Sequence, residues 1–200
     1  MNRKRIIGVF GLFLLLIGVP WEIGAFDSGD LTKLVTTKIC RQCDLTGANL
    51  KAAKLAGADL RRAKLTGADL HLADLTRANL SHADLYMADL SEANLKEVKL
   101  VVADLHSANL FRANLRDADL WGASLREANL SGADMTAANL RGALLRSAVL
   151  IRSNLSEANL SYANLVKANL MHTDLTDTIL IGTIFCDTQL PDGTKSYTGC

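Results

Sequence analysis

Between Cys43 and Phe185 a leucine returns at every fifth position, from Leu45 and Leu50 through to Leu180, with Met135 as the one exception. Two residues before each leucine stands a small side chain, nearly always alanine (Ala48, Ala58, Ala68, Ala78), and between them usually Asn or Asp. A helix needs apolar residues near a 3.6 period and a half-buried strand needs a period of 2. Five residues advance a helix by about 500°, so the leucines would make no stripe. On a flat strand the same spacing sends alternate leucines to opposite faces. A consistent interior returns if each pentamer is one short extended side followed by a corner, so that four sides close a coil of 20 residues. Each leucine then points at the axis. The alanine two positions earlier shares its direction, and must be small because one large residue per side already fills the space.

Stacked at the ordinary strand spacing, residue n lies under residue n+20, and the 28 units from Leu45 to Leu180 make seven coils, a rod of about 34 Å. Each coil touches only its neighbours, so both ends need covering. The repeat Ala-(Asn/Asp)-Leu-x-x resembles the pentapeptide-repeat family over roughly three quarters of the chain. The resemblance implies an all-β fold, a right-handed quadrilateral β-helix occupying 44–190. The best-known members of that family are cytoplasmic DNA mimics that protect a type II topoisomerase, and many others have no assigned role.

Ahead of the repeats, residues 1–25 read as a secretory signal: Arg3, Lys4 and Arg5, then an apolar run from Ile6 to Val19, with cleavage after Ala25. That run is too short for a spanning helix, which needs about 20 residues. An uncleaved anchor is the competing reading, since Ile23 is large for such a site. With cleavage the chain is expected to be periplasmic or secreted, with no membrane span. Residues 26–43 read as an N-terminal cap, with Asp30 capping a short helix whose Leu31, Leu34 and Val35 share one face. Short helices ahead of the repeats also occur in the resembled family.

The whole chain carries 22 Lys+Arg against 21 Asp+Glu; losing Arg3, Lys4, Arg5 and Glu22 with the leader leaves 19 against 20, a net charge of −1. Such balance speaks against a nucleic-acid binder, which shows a basic stripe, and against a strong polyanion mimic.

Cys40 and Cys43 form a CxxC without the βαβ context of a redox pair or the following His of a haem site. Cys186 and Cys200 lie beyond the far end of the rod, so a four-cysteine zinc site is excluded. The rod geometry leaves the pairing Cys40–Cys43 with Cys186–Cys200, in keeping with export. Toward the C-terminus threonine replaces alanine at 173, 178, 183 and 188, and Phe185 replaces leucine. Pro191-Asp192-Gly193 then signals a turn that folds the tail, 191–200, back toward Cys186.

Outward residues form columns spaced by 20. One wall, including Lys54, Asp74, Lys96, Glu97, Arg116, Asp117, Asp134, Glu157, Asp174 and Asp177, is polar and turns acidic toward the C-terminus; a solvated face is its expected role. A column of His71, Phe111, Ile151 and Met171 needs no special account. Val101, Val102, Trp121, Arg141 and Tyr162 share a wall and combine residue types enriched at binding hot spots. They are the candidate partner surface. The four histidines are dispersed, the Asp before leucine interchanges with Asn as a corner hydrogen-bonder would, and phosphate-binding glycine loops are absent. Neither enzyme activity nor a cofactor is expected. The sequence therefore predicts an exported scaffold whose partner is an unidentified protein or envelope component, and it leaves room for a homodimer. A topoisomerase-directed DNA mimic is the alternative, and an enzyme or metal binder using the acidic wall a third.

Overall fold

The computed structural model describes residues 26–200; the leader reading of residues 1–25 lies outside the described residues. From Ile39 to Gln189 the chain winds in coils of twenty residues, joined by parallel bridges at that spacing: Ile39 to Asp59, Asp59 to Asn79, and onward to Asn169 with Gln189. Each bridge falls on the residue before a leucine, or before Cys40, Met135 or Phe185 where one of these stands in its place. Its flanking leucine and alanine turn inward, and from Leu45 to Leu170 every leucine, with Met135, is buried. Alanines such as Ala108 and Ala138 sit at 1 % exposure beside them. The core is therefore one continuous column running the length of the rod.

In mid-rod a pentamer with Asn or Asp before its leucine satisfies all five of its backbone donors, as buried amides must. Around Leu110, its N–H donates to Asn129 O (2.7 Å), Arg112 N–H to Ser131 O (3.0 Å), and Asn109 N–H to Ala88 O (2.9 Å), all between coils. The fourth donor, Ala113 N–H, closes a tight turn on Leu110 O (3.0 Å). The fifth, Phe111 N–H, goes to the Asn109 side chain (3.2 Å). This last bond is why Asn or Asp precedes leucine: the side-chain oxygen accepts the N–H two residues on, an Asx turn. The interchange has a limit, because only Asn can also donate along the column. Asn109 Nδ2 reaches Asp89 Oδ1 (3.0 Å) and Asn129 Nδ2 reaches Asn109 Oδ1 (3.2 Å).

Every turn repeats one conformation. The second residue after each leucine, from Gly47 to Asp187, has a φ between 53° and 69°. That is the left-handed region needed at the third position of a type II turn, where glycine is favoured. Yet Val102 occupies it at 53° and Tyr162 at 60°. A branched residue there carries backbone strain, which the interlocked coils above and below hold in place.

Helix α1, Ser28–Thr37, precedes the coils. Its N-cap is Asp27 rather than Asp30: the Asp27 carboxylate accepts from Gly29 N (2.7 Å) and Asp30 N (3.4 Å). Asp30 instead lies in the first turn, and its carboxylate accepts from Asp44 N (2.8 Å), fastening the helix to the first coil. Leu34 is fully buried and Leu31 packs against the core. Val35 does not share their face and is 60 % exposed. One helical step of about 100° carries it from the stripe that Leu34 occupies. Lys38, left-handed at φ 56°, ends the helix with its N–H on Leu34 O (2.9 Å).

At the other end, the threonines that replace alanine point inward and use their hydroxyls. Thr173, Thr178, Thr183 and Thr188 donate to the carbonyls of Leu150, Leu155, Leu160 and Leu165, at 2.6 to 2.8 Å. Residues 190–194 turn the chain back, with Leu190 N on Thr194 O and Gly193 N on Leu190 O. The short strands β1, Thr188–Gln189, and β2, Lys195–Ser196, then pair antiparallel. Cysteines 40 and 43 are disulfide-bonded, as are 186 and 200, with Cα separations of 5.3 and 4.9 Å. Among the described residues no helix is long and apolar enough to cross a membrane.

Candidate interaction face

The twenty-residue register decides which side chains meet. Val101, Trp121 and Arg141 hold the first position after a leucine in successive coils, and Val102 and Tyr162 hold the second. Val102 N–H donates to Trp121 O (2.9 Å), so these two are neighbours across one coil boundary. Val102, Trp121 and Tyr162 are 43 %, 48 % and 60 % exposed. Arg141 and Tyr162 are likewise adjacent, with the guanidinium carbon 5.6 Å from the ring centroid, a cation–π contact.

Glycines shape this wall. Gly122, Gly142 and Gly182 take the turn position beside Trp121, Arg141 and Ile181. The Tyr162 ring lies over Gly182, where an added Cβ would come within 2.7 Å of its Cδ1. Sequence reasoning missed Ile181, which extends the row at 66 % exposure. The column rule applied to Ser161 would have found it. On another wall it missed Tyr86, stacked on His106 with centroids 5.5 Å apart, and Met87 beside it at 59 % exposure.

The wall carrying Lys54 to Asp177 neutralises part of its own charge. Arg77 Nε lies 2.7 Å from Glu97 Oε2, and Arg116 Nη1 lies 3.3 Å from Asp134 Oδ2. Exposed pairs of this kind are screened by water and salt and add little to stability. The hydroxyl of Thr76 donates to Asp74 (2.6 Å) and holds that carboxyl below its usual range. Thr176 does the same for Asp174. In the third column, His71 Nδ1 lies 2.9 Å from Ser91 O, and Arg112 sits over the Phe111 ring at 4.9 Å. His106 Nε2 is 3.9 Å from Glu127 Oε2. Asp30, Cys40 and Cys43 cluster tightly enough to suggest metal ligands, but both sulfurs are committed to the disulfide.

Coils of five-residue units bridged at n+20 around an aliphatic column define a solenoid of the β-helix class. A family model described as pentapeptide repeats matches in eight copies, its matched segments running from residue 43 to residue 190. The chain belongs to the pentapeptide-repeat family, which implies a right-handed β-helix. Among solved structures it is similar to HetL, a pentapeptide repeat protein involved in heterocyst differentiation regulation from the cyanobacterium Nostoc sp. strain PCC 7120. The two share 34 % identity over 79 % of this chain and 91 % of that one, with a TM-score of 0.36. It is also similar to Rfr23 of the cyanobacterium Cyanothece 51142, at 31 % identity over 78 % and 92 % of the two chains and a TM-score of 0.33. QnrB1, a plasmid-mediated fluoroquinolone resistance protein, is 21 % identical over 72 % of this chain and 80 % of that one, with a TM-score of 0.46. No curated protein matches the chain.

Proposed function

We propose that this protein is a non-enzymatic scaffold, a β-helix of square section with α1 as its N-terminal cap, exported to the periplasm or beyond. It presents the Trp121 wall to a protein or another envelope component. The observation that carries this reading is the row Val102, Trp121, Tyr162 and Ile181, exposed apolar side chains in one register on a rigid frame, with Arg141 against the tyrosine ring. Large aromatic and Arg side chains concentrate binding energy when a partner desolvates them, and a frame that is already ordered loses little entropy on docking. Export rests on the basic start and the apolar run from Ile6 to Val19.

The test is a photo-crosslinking residue placed at 121 or at 117, on a different wall, in the native cell. A partner trapped from 121 and absent from 117 supports the reading; identical products from both positions overturn it. Fractionation with intact-mass analysis tests export, the expected product lacking residues 1–25. In a gyrase supercoiling assay the purified protein is expected to leave activity unchanged, and protection of the enzyme would favour the DNA-mimic alternative.

A further inference from the structure

North of the aromatic row, toward α1, the same wall changes chemistry. A concavity of about 560 Å³ opens there, lined among others by Arg41, Arg61, Arg62, Asn79, Ser81 and His82. Three arginines line it, and one carboxylate, Asp59, pairs with two of them. It binds Arg61 through Nε and Nη2, both at 2.8 Å, and Arg41 through Nε at 2.6 Å. Elsewhere among the described residues a carboxylate holds one guanidinium at most: Arg116 meets Asp134, and Glu97 takes Arg77 with Lys96 at 3.7 Å. Here one carboxylate holds two arginines in fixed positions and leaves two positive charges unbalanced.

The donors left over point to a ligand. The Arg62 side chain has no hydrogen-bond or ion-pair partner among the described residues, its backbone N–H alone being engaged, on Ser81 O, and Arg41 keeps both terminal nitrogens uncommitted. Arg61 keeps Nη1. Guanidinium forks match the oxygens of phosphoryl and carboxylate groups in paired hydrogen bonds. Two uncompensated charges favour the ligand that carries close to two in one compact group, and a phosphomonoester does so at neutral pH. A concavity of this volume has room for an organic body beyond the phosphoryl oxygens.

We propose that this concavity binds a phosphomonoester, with Arg62 and Arg41 as the principal donors and Asp59 as the group that positions Arg41 and Arg61. The site stands apart from the Trp121 row and does not depend on it. Calorimetric titration of the purified protein with glycerol 3-phosphate, at fixed ionic strength, is expected to show saturable one-to-one binding. Vesicles of phosphatidic acid against phosphatidylcholine give a parallel arm: binding to the first alone assigns the same chemistry to a lipid headgroup. Arg62→Ala removes a side chain with no partner in the fold, so its unfolding midpoint should stay in place while affinity falls about tenfold or more, the worth of a charge-assisted hydrogen bond. Arg77→Ala, on another wall, should bind as the parent does. The proposal is overturned by the lack of saturable binding in both arms, by undiminished binding in Arg62→Ala, or by succinate binding as tightly as the phosphomonoester.

Discussion

The two ends of the rod solve one problem differently. At the N-terminal end α1 lays Leu34, fully buried, against the first coil, and Asp27 N–H and the Asp30 carboxylate both tie to Asp44. At the C-terminal end the tail covers only part of the last coil. Phe185 N–H finds Thr198 O and Leu170 N–H finds Gln189 O. Leu175, Asp177, Leu180 and Gly182 have no backbone acceptor among the described residues. Leu180, at the sequence position that is buried everywhere in mid-rod, is 37 % exposed, and its neighbours Ile179 and Ile181 are 45 % and 66 % exposed. A stacked coil gives its leucine a ceiling only if another coil follows. The pentamer rule therefore fixes direction, while burial comes from the neighbour.

The sharpest way to break this comparison is a pair of truncations. Leu110→Ala, in mid-rod at zero exposure, should cost about 2–5 kcal/mol in urea denaturation through the cavity it opens. Leu180→Ala should cost under about 1.5 kcal/mol, since little of its burial exists to lose. Equal losses would mean that the last coil is covered after all.

Next come the two disulfides. Replacing Cys186 and Cys200 by serine releases a loop of separation 14 and should cost about 3 kcal/mol in the chain-entropy model, against about 2 kcal/mol for the shorter Cys40–Cys43 loop. Amide exchange should show the first change loosening the tail selectively and leaving mid-rod protection intact.

A smaller effect is expected at the turns. Gly57→Ala meets no atom within 4 Å and suffers only the left-handed backbone, a cost of about 1 kcal/mol. Gly182→Ala adds the collision with Tyr162, so it should cost more and displace the ring from Arg141. Thermal unfolding of both variants, with tyrosine fluorescence, measures the difference.

The smallest effect is acid sensitivity near the N-terminal end. Arg61 beside Asp59, helped by Arg41, holds that carboxyl well below the usual carboxylate range. A depressed folded pKa means that stability is fully present above the unfolded value, near pH 4, and is lost as pH falls toward the folded one. Asp59→Asn, which keeps an acceptor for the corner, should flatten that acid limb.

Most of the architecture was legible because one rule repeats: the leucine and alanine positions set the interior, and Asn or Asp before leucine sets the corner. What escaped lies where the repeat stops. Asp27 rather than Asp30 caps α1, because two acidic residues three apart offer the same capping chemistry and only the chain's entry path selects between them. The threonines at 173 to 188 looked like decay of the pattern, yet each hydroxyl serves a carbonyl of the coil before it. The register placed Val102 beside Trp121 in advance, whereas the sharing of Asp59 by Arg41 and Arg61 depends on rotamers that no spacing rule supplies.

The uniform turn also governs which changes in length the molecule can absorb. Deleting twenty residues would shorten the rod and bring every outward side chain back to its own wall. Deleting five would keep each leucine inside while moving everything downstream round by one corner; made between Val102 and Trp121, it would part the two. Length in this protein works like a combination dial, on which only whole revolutions leave the surface lettering aligned.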